Sequence, residues 1–189
     1  GNGLRCAAYH LVQKYQLAQP FVMTIAGQEM QCRVKGDQST IEWPKKGVHD
    51  LGLTTLKMPP DLIFSGFRMD MPNPHCVIFD KINEDTLHWV GKKISDLYQT
   101  EYGGMNVEFV FKNEQAQWQA LVYERGAGIT QACGSGAMAV LCVLQQQRFI
   151  KQGTLLELRM SGGLLQLQDL GSCLSLTGQV QFIKERKLD

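Results

Sequence analysis

Nowhere does the chain run unbroken in apolar residues for anything near the roughly 20 positions a membrane-spanning helix requires; Gln, Arg or Gly interrupts each hydrophobic stretch. An excess of charge of either sign is missing as well. The 19 Lys and Arg against 18 Asp and Glu leave a formal +1, so neither nucleic acid nor a membrane surface is an expected partner. The six cysteines, Cys6, Cys32, Cys76, Cys133, Cys142 and Cys173, include no CxxC or CxxH pair, which argues against a zinc site and against a secreted disulfide framework. The opening residues do not read as a signal peptide, and a reducing cytoplasm is the expected compartment. What remains is 189 residues, 44% hydrophobic and 20% charged, the composition of an ordinary globular chain with room for one large domain or two small ones.

Against this background one stretch stands out, Tyr123-Glu124-Arg125-Gly126-Ala127-Gly128-Ile129-Thr130-Gln131-Ala132-Cys133-Gly134-Ser135-Gly136. It sets a lone thiol among small residues where a helix begins. Glycine and serine let backbone come close to a ligand, and the free N–H groups of a first helical turn hold an anion and favour thiolate over thiol. Cys133 is therefore expected to be a low-pKa nucleophile or base.

The order of elements is legible from periodicity. Leu4, Ala7, Ala8, Leu11, Val12 and Tyr15 fall on one face at helical spacing, so a helix starts almost at the first residue. A glycine-rich cap without an initiator Met reads as the interior of a longer chain. Strands are predicted over Phe21–Ala26, Met30–Lys35 and Ser39–Trp43, turned at Gly27-Gln28 and Gly36-Asp37. Pro44 to Pro60, rich in Lys, Gly and Pro, is predicted to connect two units. Strands Phe64–Met69 and Cys76–Phe79, a helix from about Asp85 to Tyr98, and strands Asn106–Lys112 and Gln117–Tyr123 follow. Helix Ser135–Phe149 then precedes strands Leu155–Met160, Leu164–Gln168, Cys173–Thr177 and Gln179–Lys184. In both halves a glycine-rich cap opens a helix that precedes strands, so Gly1-Asn2-Gly3 and Gly134-Ser135-Gly136 are expected to be equivalent elements of a pseudo-duplicated α+β protein.

The run Glu124-Arg125-Gly126-Ala127-Gly128 leading to Ala132-Cys133-Gly134-Ser135-Gly136, with Asn73-Pro74-His75 and the opening Gly1-Asn2-Gly3-Leu4-Arg5-Cys6, resembles the diaminopimelate epimerase family. The resemblance covers essentially the whole chain. It implies two pseudo-symmetric α+β domains, each with strands wrapped around a central helix and the active site between them. Residues 1–45 and 178–189 would be what is present of a truncated first domain, and 46–177 the second. It implies interconversion of LL- and meso-diaminopimelate, on the way to lysine, without pyridoxal phosphate, other cofactor or metal. Diaminopimelate is the expected partner, and a homodimer is left open.

Inverting a stereocentre calls for a base on one face of the α-carbon and an acid on the other, roles that a thiolate and a thiol can exchange. By resemblance Cys133 is one of the pair, and the other belongs immediately before the Gly-Asn-Gly, ahead of Gly1; this chain is then expected to be inactive alone. Gly1, Asn2, Gly134 and Ser135 would bind the α-carboxylate through opposed helix starts. Glu124 would take the ammonium and, with His75, tune the cysteines. Asn73, Asn106 and Arg125 would hold the distal end, where guanidinium suits carboxylate. Departures from the family pattern are Met71-Pro72 ahead of Asn73, Ile129 where an acid is frequent, and Met138 in the helix cap. Cys32, Cys76, Cys142 and Cys173 read as packing residues. A catalytically silent amino-acid-binding remnant of the same fold, or a racemase of another amino acid, stays open beside the epimerase.

Overall fold

The computed structural model describes residues 1–25, 27–59, 61–71 and 73–183. In chain order the elements are α1 (Asn2–Tyr15), β1 (Phe21–Ile25), β2 (Gln28–Lys35), β3 (Gln38–Pro44), β4 (His49–Met58), β5 (Leu62–Asp70) and β6 (Pro74–Ile78). Then come α2 (Glu84–Leu97), α3 (Gln99–Tyr102), β7 (Asn106–Lys112), β8 (Trp118–Glu124), β9 (Gly128–Thr130), α4 (Gly134–Gln146), β10 (Leu156–Met160), β11 (Gly163–Asp169) and β12 (Cys173–Gln179). Among the described residues the strands form one mixed sheet in the order β1-β2-β3-β12-β11-β10-β8-β7-β6-β5-β4, with β9 added to β8. This is the α+β class the sequence indicates. No helix among the described residues is long and apolar enough to cross a membrane.

The first hairpins follow from side-chain alternation. Met30, Cys32 and Val34 on β2, and Ser39, Ile41 and Trp43 on β3, point inward while their neighbours face out or sit half-buried. Gly27 and Gly36, at φ 75° and 60°, supply the left-handed residues of the turns. Above them α1 buries Leu4, Arg5 and Ala8. The rest of its apolar stripe is less covered than the spacing suggests: Ala7, Leu11 and Val12 are half-buried and Tyr15 is exposed.

The middle of the sheet works differently, because β6 and β7 run parallel and helices cover both faces. His75 pairs with Asn106 and Val77 with Glu108, so His75, Val77, Asn106, Glu108 and Val110 share one face; Val77 and Val110 belong to the core that surrounds α4. Cys76, Ile78, Val107 and Phe109 share the other and pack with Leu87, Val90 and Ile94 of α2. A strand buried on both faces reads as a continuous apolar run. For the same reason α4 is apolar all round: every residue from Gly134 to Leu144 is buried. On α2 the inward residues recur at Leu87, Val90, Gly91 and Ile94, and its start is capped by Asn83, whose Oδ1 accepts from the Thr86 N–H at 2.7 Å.

Some boundaries differ from expectation. Most of the predicted connection between Pro44 and Pro60 is β4, the outermost strand; its Gly52, at φ 84°, sits in a bulge opposite Arg68. Residues 45–48 join β3 to β4. Helix α4 ends at Gln146 rather than Phe149, with Arg148 in the left-handed region at φ 60°. The predicted strand Gln179–Lys184 is absent among the described residues: Gln179 closes β12, and 180–183 are irregular. Lys184–Asp189, Ala26, Pro60 and Pro72 lie outside the described residues. The short α3 and β9 escaped the sequence pattern altogether.

Gly91 tests how tightly α2 is seated. A Cβ there would lie 2.6 Å from Cβ and Cγ of Tyr123 on β8. Helix propensity favours Ala over Gly by about 1 kcal/mol, whereas overpacking of this kind costs about 1–3 kcal/mol. Gly91→Ala should therefore lower the urea midpoint at unchanged m-value; a raised midpoint would show that α2 stands farther from β8.

Candidate active site

Cys133 is the N-cap of α4, with extended φ and ψ of −123° and 115°. Its Sγ accepts the Gly136 N–H at 3.4 Å and lies 3.5 Å from Ser135 Oγ, doing with sulfur what Ser or Asp does at most helix starts. The start of α1 meets it head on. A Cβ on Gly1 would come within 2.7 Å of the Gly134 Cα, and one on Gly134 within 2.7 Å of the Gly1 Cα. Only glycine at both helix starts lets them touch. Asn2 fixes the contact: its Nδ2 donates to the Ala132 carbonyl at 2.7 Å and its Oδ1 accepts from Arg5 at 3.0 Å. Gly1, Asn2, Gly134 and Ser135 are thus brought together.

Beneath the cap lies a pair of which the sequence reading found only one member. His75 Nδ1 and Glu108 Oε1 are 2.7 Å apart, and both side chains are 0% exposed. One ligand atom from each of His75, Glu108 and Cys133 can be chosen so that all three lie within 4.8 Å of one another. Glu108 also presses on the helix start, since a Cβ on Gly136 would collide with its Oε1. The signal for Glu108 was a lone acid inside the apolar run Val107-Glu108-Phe109-Val110, on the same strand face as Asn106.

The electrostatics reverse the expectation for the thiol. Burial, and after it the charge of Glu108, push Cys133 up to about 12; the hydrogen bond from Ser135 pulls down, Glu124 adds to the rise, and the Gly136 N–H pulls down again. Two hydrogen-bonding groups at a helix start do not outweigh desolvation when only 5% of the residue is exposed. Cys133 is a neutral thiol at neutral pH. Burial likewise raises Cys32, Cys76, Cys142 and Cys173, the first three of which are fully buried. Cys6 is exposed, on the outer side of α1.

The remaining predicted residues ring this centre. Glu124, at the end of β8, accepts the Thr130 hydroxyl and is close enough to contribute to the Cys133 shift. Asn106 is buried with both ends of its amide engaged: Nδ2 donates to the Pro74 carbonyl at 3.1 Å and Oδ1 accepts the Arg125 N–H at 3.0 Å. It ties the turn before His75 to the turn after Glu124. The Arg125 guanidinium donates to the Tyr102 carbonyl at 2.7 Å, held by the α3 turn. Asn73 is half-buried, its carbonyl taking the Met71 N–H; Pro72 beside it is outside the described residues. Ile129 packs on the α2 core and Met138 is wholly buried in α4. A cavity of about 320 Å³, lined among others by Arg5, Ala132, Gly162, Thr177 and Gly178, opens beside the cap.

Comparison with known proteins bears on the family and the fold. The family model described as diaminopimelate epimerase matches residues 67–183. Curated relatives include the diaminopimelate epimerases of Bacillus licheniformis, 29% identical over 181 residues, and Bacillus pumilus, 31% identical over 185; each match covers 86% of this chain. The chain spans 63% of the length of these relatives. Among solved structures, a hydroxyproline epimerase from Agrobacterium vitis with bound trans-4-OH-L-proline superposes with TM-score 0.76 at 14% identity, covering 95% of this chain and 63% of that one. A phenazine biosynthesis protein of the PhzF family from Enterococcus faecalis superposes at 0.66 and 12%, covering 95% and 68%. At these identities the structural likeness speaks for the fold.

A neutral Cys133 has a direct consequence for labelling. Alkylation follows the thiolate fraction, so its rate at Cys133 should climb about tenfold per pH unit from 7 to 10, well below a midpoint near 12. Peptide mapping after iodoacetamide at pH 7.5 should find exposed Cys6 modified before Cys133. Preferential modification of Cys133 at that pH would contradict the assignment.

Proposed function

Because the chain belongs to the diaminopimelate epimerase family, we propose that it carries one side of a two-thiol proton exchange at the α-carbon of diaminopimelate, with Cys133 as the acid or base. The observation that carries this reading is the head-on contact of the two helix starts at Gly1 and Gly134. The residue ahead of Gly1, where the family's second thiol belongs, then enters the same cleft as Cys133. The division into residues 1–45 with 178–189 and residues 46–177 is part of the same reading.

An α-proton next to a carboxylate is weakly acidic, so the enolate-like transition state needs charge stabilisation on the carboxylate oxygens. The first-turn N–H groups of Gly1, Asn2, Gly134 and Ser135, at the touching helix starts, would supply it. The resting Cys133 thiol delivers its proton to one face of the carbanion while a thiolate on the other face takes the original proton; in the reverse direction the roles exchange. Glu124 gives up the Thr130 hydroxyl to accept the substrate ammonium. His75, fixed by Glu108, faces the thiol's side of the site. Arg125, its main chain held by Asn106, and Asn73 take the distal amino acid group. The reaction asks nothing of pyridoxal phosphate.

In D₂O, the protein carrying the residue ahead of Gly1 should interconvert LL- and meso-diaminopimelate and wash deuterium into the α-position. Cys133→Ala should cut turnover by about 10²–10⁴-fold, the share that positioned acid–base groups contribute. Unchanged turnover in that variant, or absence of α-exchange in the parent, would overturn the reading. Exchange with proline but not diaminopimelate would instead assign the site to a racemase of another amino acid.

A further inference from the structure

We propose that His75, Glu108 and Cys133 also form a binding site for a thiophilic divalent cation of the Zn²⁺ class, held by one imidazole nitrogen, one carboxylate oxygen and the cysteine sulfur. Three different donors come from β6, β7 and the cap of α4, and their ligand atoms lie within 4.8 Å of one another. Around tetrahedral zinc, with bonds of roughly 2.0–2.3 Å, neighbouring ligand atoms sit about 3.3–3.8 Å apart. The His75–Glu108 hydrogen bond, at 2.7 Å, opens to that spacing when the ion is bound.

A second observation points to a ligand at the same place. Among the described residues, His75 Nε2 and Glu108 Oε2 are buried and have no hydrogen-bond partner, in a core where such atoms are nearly always satisfied. Both side chains are 0% exposed, so lone pairs left over from the pairing at 2.7 Å are available to a cation and to little else. Charge balance agrees. A thiolate, a carboxylate and a neutral imidazole around a dipositive ion sum to zero, which removes the cost of a net charge in a buried site. The nitrogen and sulfur donors select zinc over Mg²⁺ or Ca²⁺, which demand oxygen.

The binding step balances simply. The Cys133 S–H bond breaks, a sulfur–metal bond forms and one proton leaves to solvent, with no change of oxidation state. Because one proton is released for each ion bound, the step is pH-dependent. A captured Cys133 could move no proton, so the metal would silence the site reversibly; this consequence rests on the function proposed above, whereas the metal site itself does not. The ligand spacing, residues 75, 108 and 133, matches no short metal motif in the sequence.

Co²⁺ and Zn²⁺ added to the metal-free chain test the site. Co²⁺ should bind one to one with a thiolate-to-cobalt charge-transfer band and tetrahedral d–d absorption, and Zn²⁺ should displace it. The apparent Zn²⁺ Kd should fall at least tenfold per pH unit between pH 6 and 8. Zn²⁺ should protect Cys133, and not Cys6, from iodoacetamide, a readout that needs no variant. Cys133→Ser should lose the charge-transfer band, and His75→Ala and Glu108→Gln should each weaken binding by at least about tenfold. No band, a pH-independent Kd, or a band that persists in Cys133→Ser would overturn the site. In the protein carrying the residue ahead of Gly1, Zn²⁺ that binds and protects Cys133 while epimerisation continues would leave the site standing and overturn the role of Cys133 in turnover.

Discussion

The first turn of α4 lies directly on the face of β6 and β7 that carries His75 and Glu108, and Gly136 permits the approach: a Cβ there would strike the Glu108 carboxylate. From this seating the other features follow. The carboxylate is closed off from water, and its hydrogen bond to His75 becomes its only described protein partner. Cys133, one turn back at the cap, is held over the pair by the Gly136 N–H. The positive end of the helix faces a buried negative group, the favourable sense for a helix N-terminus. The same turn carries Gly134, whose missing side chain admits Gly1. One stretch of four residues therefore sets the depth of the acid, the position of the thiol and the meeting of the two helix starts.

That arrangement decides the protonation state as well. A helix start by itself would lower a thiol, and a shallow version of the site would hold a thiolate. Here desolvation is the larger effect, with the Glu108 charge acting in the same direction. The result is a site that stores a proton on sulfur. Around it the structure spends polar groups on rigidity. Asn106 joins the Pro74 carbonyl, just before His75, to the Arg125 N–H at the start of the turn after β8, and Arg125 is anchored on the α3 turn.

Much of this was legible in the residues. Hairpins at Gly27 and Gly36, the extent of α2 and the limits of β7 were set by local periodicity and turn chemistry, and Asn106–Lys112 was read to the residue. The glycine-flanked Cys133 announced the helix start. The error over Pro44–Pro60 has a physical cause: β4 is an edge strand whose outer residues are mostly exposed, so it carries the polar, glycine-broken composition of a connection. Glu108 was missed because its meaning lies in the parallel pairing of β6 with β7, a contact distant in sequence. The protonation of Cys133 was misjudged for the same reason. Position at a cap is local, but burial is tertiary.

The central claim is that a hydrogen bond between His75 and Glu108, shut away from water, lies under the cap of α4. Proton NMR of the metal-free chain in the far-downfield region reads it directly. The account predicts a slowly exchanging imidazole N–H signal that disappears in His75→Asn and in Glu108→Ala and survives in Cys133→Ser. A spectrum with no such signal, or one indifferent to Glu108, would contradict it.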